Sequence, residues 1–274
     1  MFPRALLLTS SKKPDFSCFS FSLNTRIPYT YFSETITYIR SYSKAPSSPD
    51  RHEVSTFASS LRLCAKEKAL LLGKDIHSLI VSHGFECNKL LSNLLLYMYG
   101  CCAALLDAHL LFEKMSTIRD KFSWNFMISS HTRHGCFYEA FCLFSQMLFE
   151  EFVKPDEFIL ASILSACAEM KDITTGRHIH IFIVVYCLPL DVVLVNAIIN
   201  VYAKCGDLED ASFVFDGMDE KMDATWNAII SGYVLSDEPQ KAITYYYQMI
   251  MEGVCPNTIT FVCIISACTN QIYL

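Results

Sequence analysis

Apolar side chains along this chain fall into short helical patterns that arrive in pairs. Between Lys121 and Asp156, Trp124, Met127 and Ile128 line one face of a first segment. A break follows at Gly135, and Ala140, Phe141, Leu143, Phe144 and Met147 line a second. The pattern predicts a helical hairpin. Gly206 followed by Asp207 predicts a helix stop and a new start, because glycine tolerates the left-handed residue that ends a helix and aspartate accepts the first free N–H groups of the next. Lys154-Pro155-Asp156 and Cys255-Pro256-Asn257 punctuate in another way, since proline interrupts a continuous helical backbone.

The paired pattern repeats. Cys64, Gly73, His77, Asn93, Tyr99, Phe112 and Met115 recur as Cys167, Gly176, His180, Asn196, Tyr202, Phe215 and Met218, at a constant offset of 103 residues. Trp124, Asn125 and Met147 recur as Trp226, Asn227 and Met249 at an offset of 102. Each long period divides into three two-helix units, with boundaries expected at 54–88, 89–120, 121–156, 157–191, 192–222 and 223–257 and a partial unit over 258–274. A two-helix unit cannot bury both faces alone, so neighbours stack and share a continuous core. The predicted fold is all-α, a right-handed α-α superhelix of about six helical hairpins plus a partial seventh. Trp124 and Trp226 sit at helical spacing among apolar neighbours and are expected to pack between units, and the recurring Cys64, Cys167 and Cys268 are expected to pack likewise.

Composition narrows the function classes. Apolar residues make up 52% of the 274, enough for a large core, and the longest apolar run, about Ile181 to Leu188, is too short to cross a bilayer. A soluble chain is expected. Thirteen cysteines without a CxxC spacing or a secretory signal, set within apolar helical patterns, read as reduced, buried thiols. The net charge of −6 argues against gripping nucleic acid by bulk electrostatics, so any such role must rest on local groups. Residues 1–53 differ from the rest. Through Lys44, the cationic Arg4, Lys12, Lys13, Arg26, Arg40 and Lys44 face only Asp15 and Glu34 amid many hydroxyl side chains, which reads as an organelle transit peptide and disordered leader. Arg40-Ser41-Tyr42-Ser43 is similar to a mitochondrial cleavage site; a chloroplast address stays open.

Units cycling through 35, 32 and 36 residues, then 35, 31 and 35, resemble the plant PLS class of pentatricopeptide repeat proteins. Ser165-Ala166-Cys167 with Gly176-Arg177-His178-Ile179-His180 resembles the long type. Asn196 to Ala211, ending in Val214-Phe215-Asp216-Gly217-Met218, resembles the short type, and Trp226-Asn227-Ala228-Ile229-Ile230-Ser231-Gly232-Tyr233 the ordinary type. The resemblance runs from about Val54 to the C-terminus and implies a chain that ends before the C-terminal extensions common in that class.

The resemblance further implies that each unit reads one base of single-stranded RNA through a side chain early in its first helix and its last residue. Carried onto this sequence, Asn93 with Asp120 and Asn125 with Asp156 match the combination associated with uracil. Asn227 with Asn257 matches a pyrimidine reader, with cytosine plausible, and Asn196 with Met222 departs from the pattern and leaves a loose pyrimidine expectation. Ala58 with Asn88 and Ala161 with Asp191 are weak readers, because alanine has no group to offer a base edge. The competing reading of the four asparagines is an ordinary helix cap. No catalytic constellation, metal set or cofactor motif stands out: His178 and His180 diverge on one helix, and Cys101-Cys102 has no second pair. The expectation is a non-enzymatic RNA-binding protein of the mitochondrion or chloroplast, monomeric and free of membrane. Its role would be RNA processing, most plausibly recognition of sites for C-to-U editing by a separate enzyme. A tetratricopeptide-like protein-interaction solenoid and a fragment without function of its own are the alternatives.

Overall fold

The computed structural model describes residues 51–150, 154–186, 188 and 191–272. The expected leader lies outside the described residues through position 50. Thirteen α-helices and no strand occur among the described residues, in six pairs and one single helix: α1 (Arg51–Glu67) with α2 (Leu70–Ser82), α3 (Lys89–Cys101) with α4 (Leu105–Lys114), α5 (Lys121–Arg133) with α6 (Phe137–Phe149), α7 (Glu157–Met170) with α8 (Ile173–Val185), α9 (Val192–Lys204) with α10 (Leu208–Asp216), α11 (Asp223–Leu235) with α12 (Pro239–Met251), and α13 (Thr258–Ile272).

The odd-numbered helices pack in one row, each against the next. Every even-numbered helix leans on its own partner and on the first helix of the following pair, without comparable contact to its even-numbered neighbours. This asymmetry bends the stack into an α-helical repeat superhelix with the odd helices on the inner wall.

Aromatic wedges join two of the pairs to the next, at α4–α5 and α10–α11. Trp124 and Trp226 are fully buried and meet Phe112 and Phe215 edge-on, each with ring centroids 4.8 Å apart. A tyrosine row adds a polar tie: Tyr99 on α3 bonds His77 on α2 at 2.8 Å, and Tyr202 on α9 bonds His180 on α8 at 2.9 Å. At Gly176 α8 lies close against α9, since a Cβ there would stand 2.5 Å from Val201 Cγ1. At the α9–α10 turn, Gly206 adopts φ +81, the left-handed conformation that glycine accommodates without strain.

Burial of the thiols holds for two of the described cysteines: Cys64 and Cys167 are fully buried, and burial pushes both thiols up to about 12, whereas Cys87, Cys142, Cys255 and Cys268 are exposed because they lie off the faces that neighbouring helices cover. Cys268 does not share their packing role. It occupies the matching place on α13 but is exposed, because no further helix pair covers that helix among the described residues.

Candidate functional site

Four asparagines stand at the fifth residue of their helices: Asn93 on α3, Asn125 on α5, Asn196 on α9 and Asn227 on α11. They are therefore not caps. The caps are the residues that close each unit. Asn88 accepts Leu91 N–H at 3.2 Å, Asp120 accepts Phe122 and Ser123 N–H at 3.0 and 3.1 Å, and Asp156 accepts Ile159 N–H at 3.0 Å. Asp191 accepts Leu194 N–H at 2.8 Å, and Asn257 accepts Ile259 and Thr260 N–H at 2.9 and 3.2 Å. Each cap satisfies N–H groups that the helix leaves open and, for the aspartates, sets a negative charge at the positive end of the helix dipole. Met222 offers no side-chain cap to α11.

Stacking brings some of these side chains together and leaves others apart. Asn93 Nδ2 donates to Asp120 Oδ1 at 3.1 Å, and Asn227 Nδ2 donates to Asn257 Oδ1 at 3.2 Å. A hydroxyl three residues past the cap completes each arrangement: Ser123 Oγ donates to Asn93 Oδ1 at 2.7 Å, and Thr260 Oγ1 donates to Asn227 Oδ1 at 2.6 Å. Asn257 is turned outward by a further bond, Nδ2 to Asp223 Oδ2 at 2.8 Å. Asn93 and Asn227 are each 7% exposed, so only an edge of either amide faces solvent.

The other units lack this closure. Asn125 and Asp156 are partly exposed, and no bond joins them among the described residues; the residue three past that cap is the buried Ile159. Asn196 Oδ1 is buried and meets no donor, although Thr225 stands at the equivalent place, accepting Met222 N–H at 3.3 Å. Ala58 is buried and Ala161 is partly exposed, so neither offers a polar group beside Asn88 or Asp191.

Two further rows were missed in reading the sequence. The second residues of five odd helices, Leu90 on α3, Phe122 on α5, Phe158 on α7, Val193 on α9 and Ile259 on α13, are large and apolar yet 49–59% exposed, while α11 has Ala224 there. Each lies three positions before the fifth residue and so on its face of the helix. A recurring apolar residue directly after a helix start was the available signal. Eight residues beyond Ala58, Asn93, Asn125, Ala161, Asn196 and Asn227 stand Lys66, Cys101, Arg133, Glu169, Lys204 and Leu235. Lys204 Nζ pairs with Glu169 at 2.6 Å, and Arg133 Nη1 points at Cys101 Sγ at 3.8 Å. Arg119, by contrast, is not available to a ligand: it stacks on Phe112 at 4.1 Å and pairs with Glu113 and Glu150.

A family model described as "PPR repeat family" matches residues 223–270, and one described as "PPR repeat" matches 122–152 and 193–222. The chain is similar to a pentatricopeptide repeat-containing protein of Arabidopsis thaliana named chloroplastic/mitochondrial, with 35% identity over 85% of this chain and 36% of that protein. A second Arabidopsis relative, named chloroplastic, is 34% identical over 77% of this chain and 24% of its own length. The chain thus spans about a quarter to a third of these curated relatives. Among solved structures it is similar to the maize pentatricopeptide repeat protein PPR10, with a TM-score of 0.54 at 19% identity, covering 88% of this chain and 39% of that one. PPR10 in complex with an 18-nt psaJ RNA element gives 0.57 at 17% identity, covering 87% and 40%.

Proposed function

We propose that this pentatricopeptide repeat protein binds single-stranded RNA along the row of odd-numbered helices, one base per helix pair, through the fifth-residue asparagines and the caps that follow them. The observation carrying the proposal is the hydrogen-bond bookkeeping of the pairs. Asn93 keeps one amide N–H and Asp120 keeps Oδ2 after their internal bonds are counted. A donor beside an acceptor complements the carbonyl and N3–H of uracil. At Asn227 and Asn257, Asn257 Oδ1 is taken by backbone N–H groups and its Nδ2 has one proton bonded to Asp223, so each amide keeps an N–H for a base. Two adjacent donors complement cytosine, whose O2 and N3 are both acceptors.

The exposed second-residue row supplies what hydrogen bonds alone do not. Phe122, Phe158 and their aliphatic counterparts sit beside the polar pairs and offer faces on which bases stack, a contribution of about 1–3 kcal/mol per base on an aromatic ring. The binding of an RNA element by the structurally similar PPR10 supports the same use of this fold. If the chain and RNA run in parallel, the six complete pairs favour any-U-U-any-Y-Y from 5′ to 3′.

The setting we propose is an organelle, the mitochondrion in the first place and the chloroplast as the alternative, consistent with the basic leader and with a relative named for both. The role is non-catalytic: site recognition in RNA processing, with C-to-U editing by a separate enzyme as the specific case, and the chain acting as a monomer. The test is binding of the full chain to a hexanucleotide of that pattern and to one with both uracils replaced by purines, at one fixed salt concentration. A preference of about tenfold for the first, lost in Asn93→Ala with Asn125→Ala, is the expected result. Equal affinity for both would sink the reading.

A further inference from the structure

We propose, on the premise that the pairs read RNA, that the hydroxyl three residues past the cap is a third specificity-determining position. Ser123 and Thr260 act as positioning residues that fix which way the reading amide points. An asparagine amide presents an acceptor on one side and two donors on the other, and a rotation of its terminal torsion exchanges them. Left unconstrained, the same asparagine offers a base either a donor or an acceptor. It then discriminates poorly between uracil and cytosine, which differ by that exchange at N3 and at the exocyclic group.

At Asn93 the partners together favour one orientation. The Asp120 backbone N–H can only donate, and it donates to Ser123 Oγ at 3.2 Å; the Ser123 proton has two acceptors in reach, Asn93 Oδ1 at 2.7 Å and Asp120 Oδ1 at 3.2 Å, and the shorter contact is the one to Asn93. Asp120 Oδ1, an acceptor, draws Asn93 Nδ2 to the opposite side. The pair at Asn227 repeats this with different residues. The Asn257 backbone N–H donates to Thr260 Oγ1 at 3.1 Å, Thr260 lies closer to Asn227 Oδ1, at 2.6 Å, than to its other acceptor, Asn257 Oδ1, at 3.3 Å, and Asn257 Oδ1 is held toward the α13 backbone by two N–H groups. In both places the outward edge of the asparagine is a donor only.

The chain also contains the two incomplete cases. Asn125 has the acceptor cap, Asp156, but Ile159 in place of the hydroxyl, and its amide makes no internal bond among the described residues. Asn196 has the hydroxyl, Thr225, but Met222 in place of the acceptor cap, and its Oδ1 is left buried without a donor. Neither half holds the amide alone. Asn93 with Asp120 and Asn125 with Asp156, identical as two-residue pairs, are therefore unequal readers.

Two arms test this on the full chain. Without RNA, side-chain amide hydrogen exchange by NMR is expected to be slower at Asn93 than at Asn125, and Ser123→Ala is expected to remove the difference while Ser123→Thr keeps it. Equal exchange in the parent overturns the inference, whether or not the chain binds RNA. With RNA, hexanucleotides carrying uracil or cytosine opposite one pair at a time are compared at fixed salt. Uracil preference is expected to be roughly tenfold greater at the Asn93 pair than at the Asn125 pair, about one hydrogen bond's worth. Ile159→Thr is expected to raise the latter, and Ile159→Val, of the same shape without a hydroxyl, to leave it unchanged. Thermal unfolding of each variant separates lost positioning from lost fold, and the gain by Ile159→Thr does not depend on a damaged variant. Identical behaviour of Ile159→Thr and Ile159→Val in a chain that binds RNA overturns the positioning role alone. Failure of the parent to bind RNA in the second arm overturns the premise and with it the specificity claim, leaving the first arm to report on the amide.

Discussion

At the scale of single residues, the unit from Val192 to Met222 is where a small change should matter most. Met222 replaces the acidic or amide cap found at the start of α3, α5, α7, α9 and α13, and both the helix start and Asn196 lose a partner by it. Met222→Asp is expected to stabilise the fold by about 0.5–2 kcal/mol through capping of α11, read as a shift in the urea midpoint without a change in slope. In RNA binding it is expected to convert the base opposite Asn196 from indifferent to uracil-preferring, because Thr225 already supplies the hydroxyl. A stabilised variant with no new preference would separate the cap from base reading. The asparagines and unit-closing residues were legible because they recur at matching places in a long period. Their bonds were not, since Asn93 meets Ser123 thirty residues away only once two units are stacked. That Asp120 caps a helix while also meeting Asn93 was equally hidden, because local spacing reports the cap but not the neighbour.

At the scale of helices, the pairs were readable because each needs one apolar face toward its partner and another toward the next pair, and that demand leaves a period of 3.6 residues in the sequence. How closely helices approach is set by single small residues that a periodicity does not reveal. Gly176 illustrates the balance. Alanine there gains up to about 1 kcal/mol in helix propensity, but its Cβ would fall 2.5 Å from Val201 Cγ1 and force α8 and α9 apart. Overpacking of this kind costs about 1–3 kcal/mol, so Gly176→Ala is expected to destabilise the chain in chemical denaturation. Gly176→Ala combined with Val201→Ala is expected to recover part of the loss. Recovery would locate the cost in that one contact; an unchanged deficit would place it elsewhere. Cys268 shows the opposite limit of sequence reading, for its recurrence with Cys64 and Cys167 carries no information on whether a following pair covers it.

At the scale of the whole chain, two properties emerge that no single unit has. Burial is the main cause that lowers His77, His131 and His180 from their ordinary value of 6.5, with Lys114 adding to it at His77 and Asp107 opposing; at His131 the Met127 carbonyl and Glu139 oppose while His109 and His134 add, and at His180 Asp210 opposes. A lowered folded-state value means that the unfolded chain takes up these protons first. Stability is therefore fully present above about pH 6.5 and falls as the pH drops below it, which urea denaturation at pH 7.5 and 5.5 would register. The second property is charge. With 22 cationic and 28 anionic side chains, the chain as a whole repels RNA, and attraction must come from cations placed where the backbone passes. Lys66, Arg133 and Lys204 lie eight residues, or about 12 Å of helix, beyond Ala58, Asn125 and Asn196, and Glu169 neutralises the last of them at 2.6 Å. Glu169→Gln should release Lys204 to a phosphate, raising affinity several-fold at low salt and steepening the dependence of log K on log salt by about 0.7. Lys204→Ala in that background should return both to the parent values. A slope that ignores both substitutions would mean that the backbone does not cross this row, and would move the proposed RNA path off the lower turns of the odd helices while leaving the base-reading turn untouched.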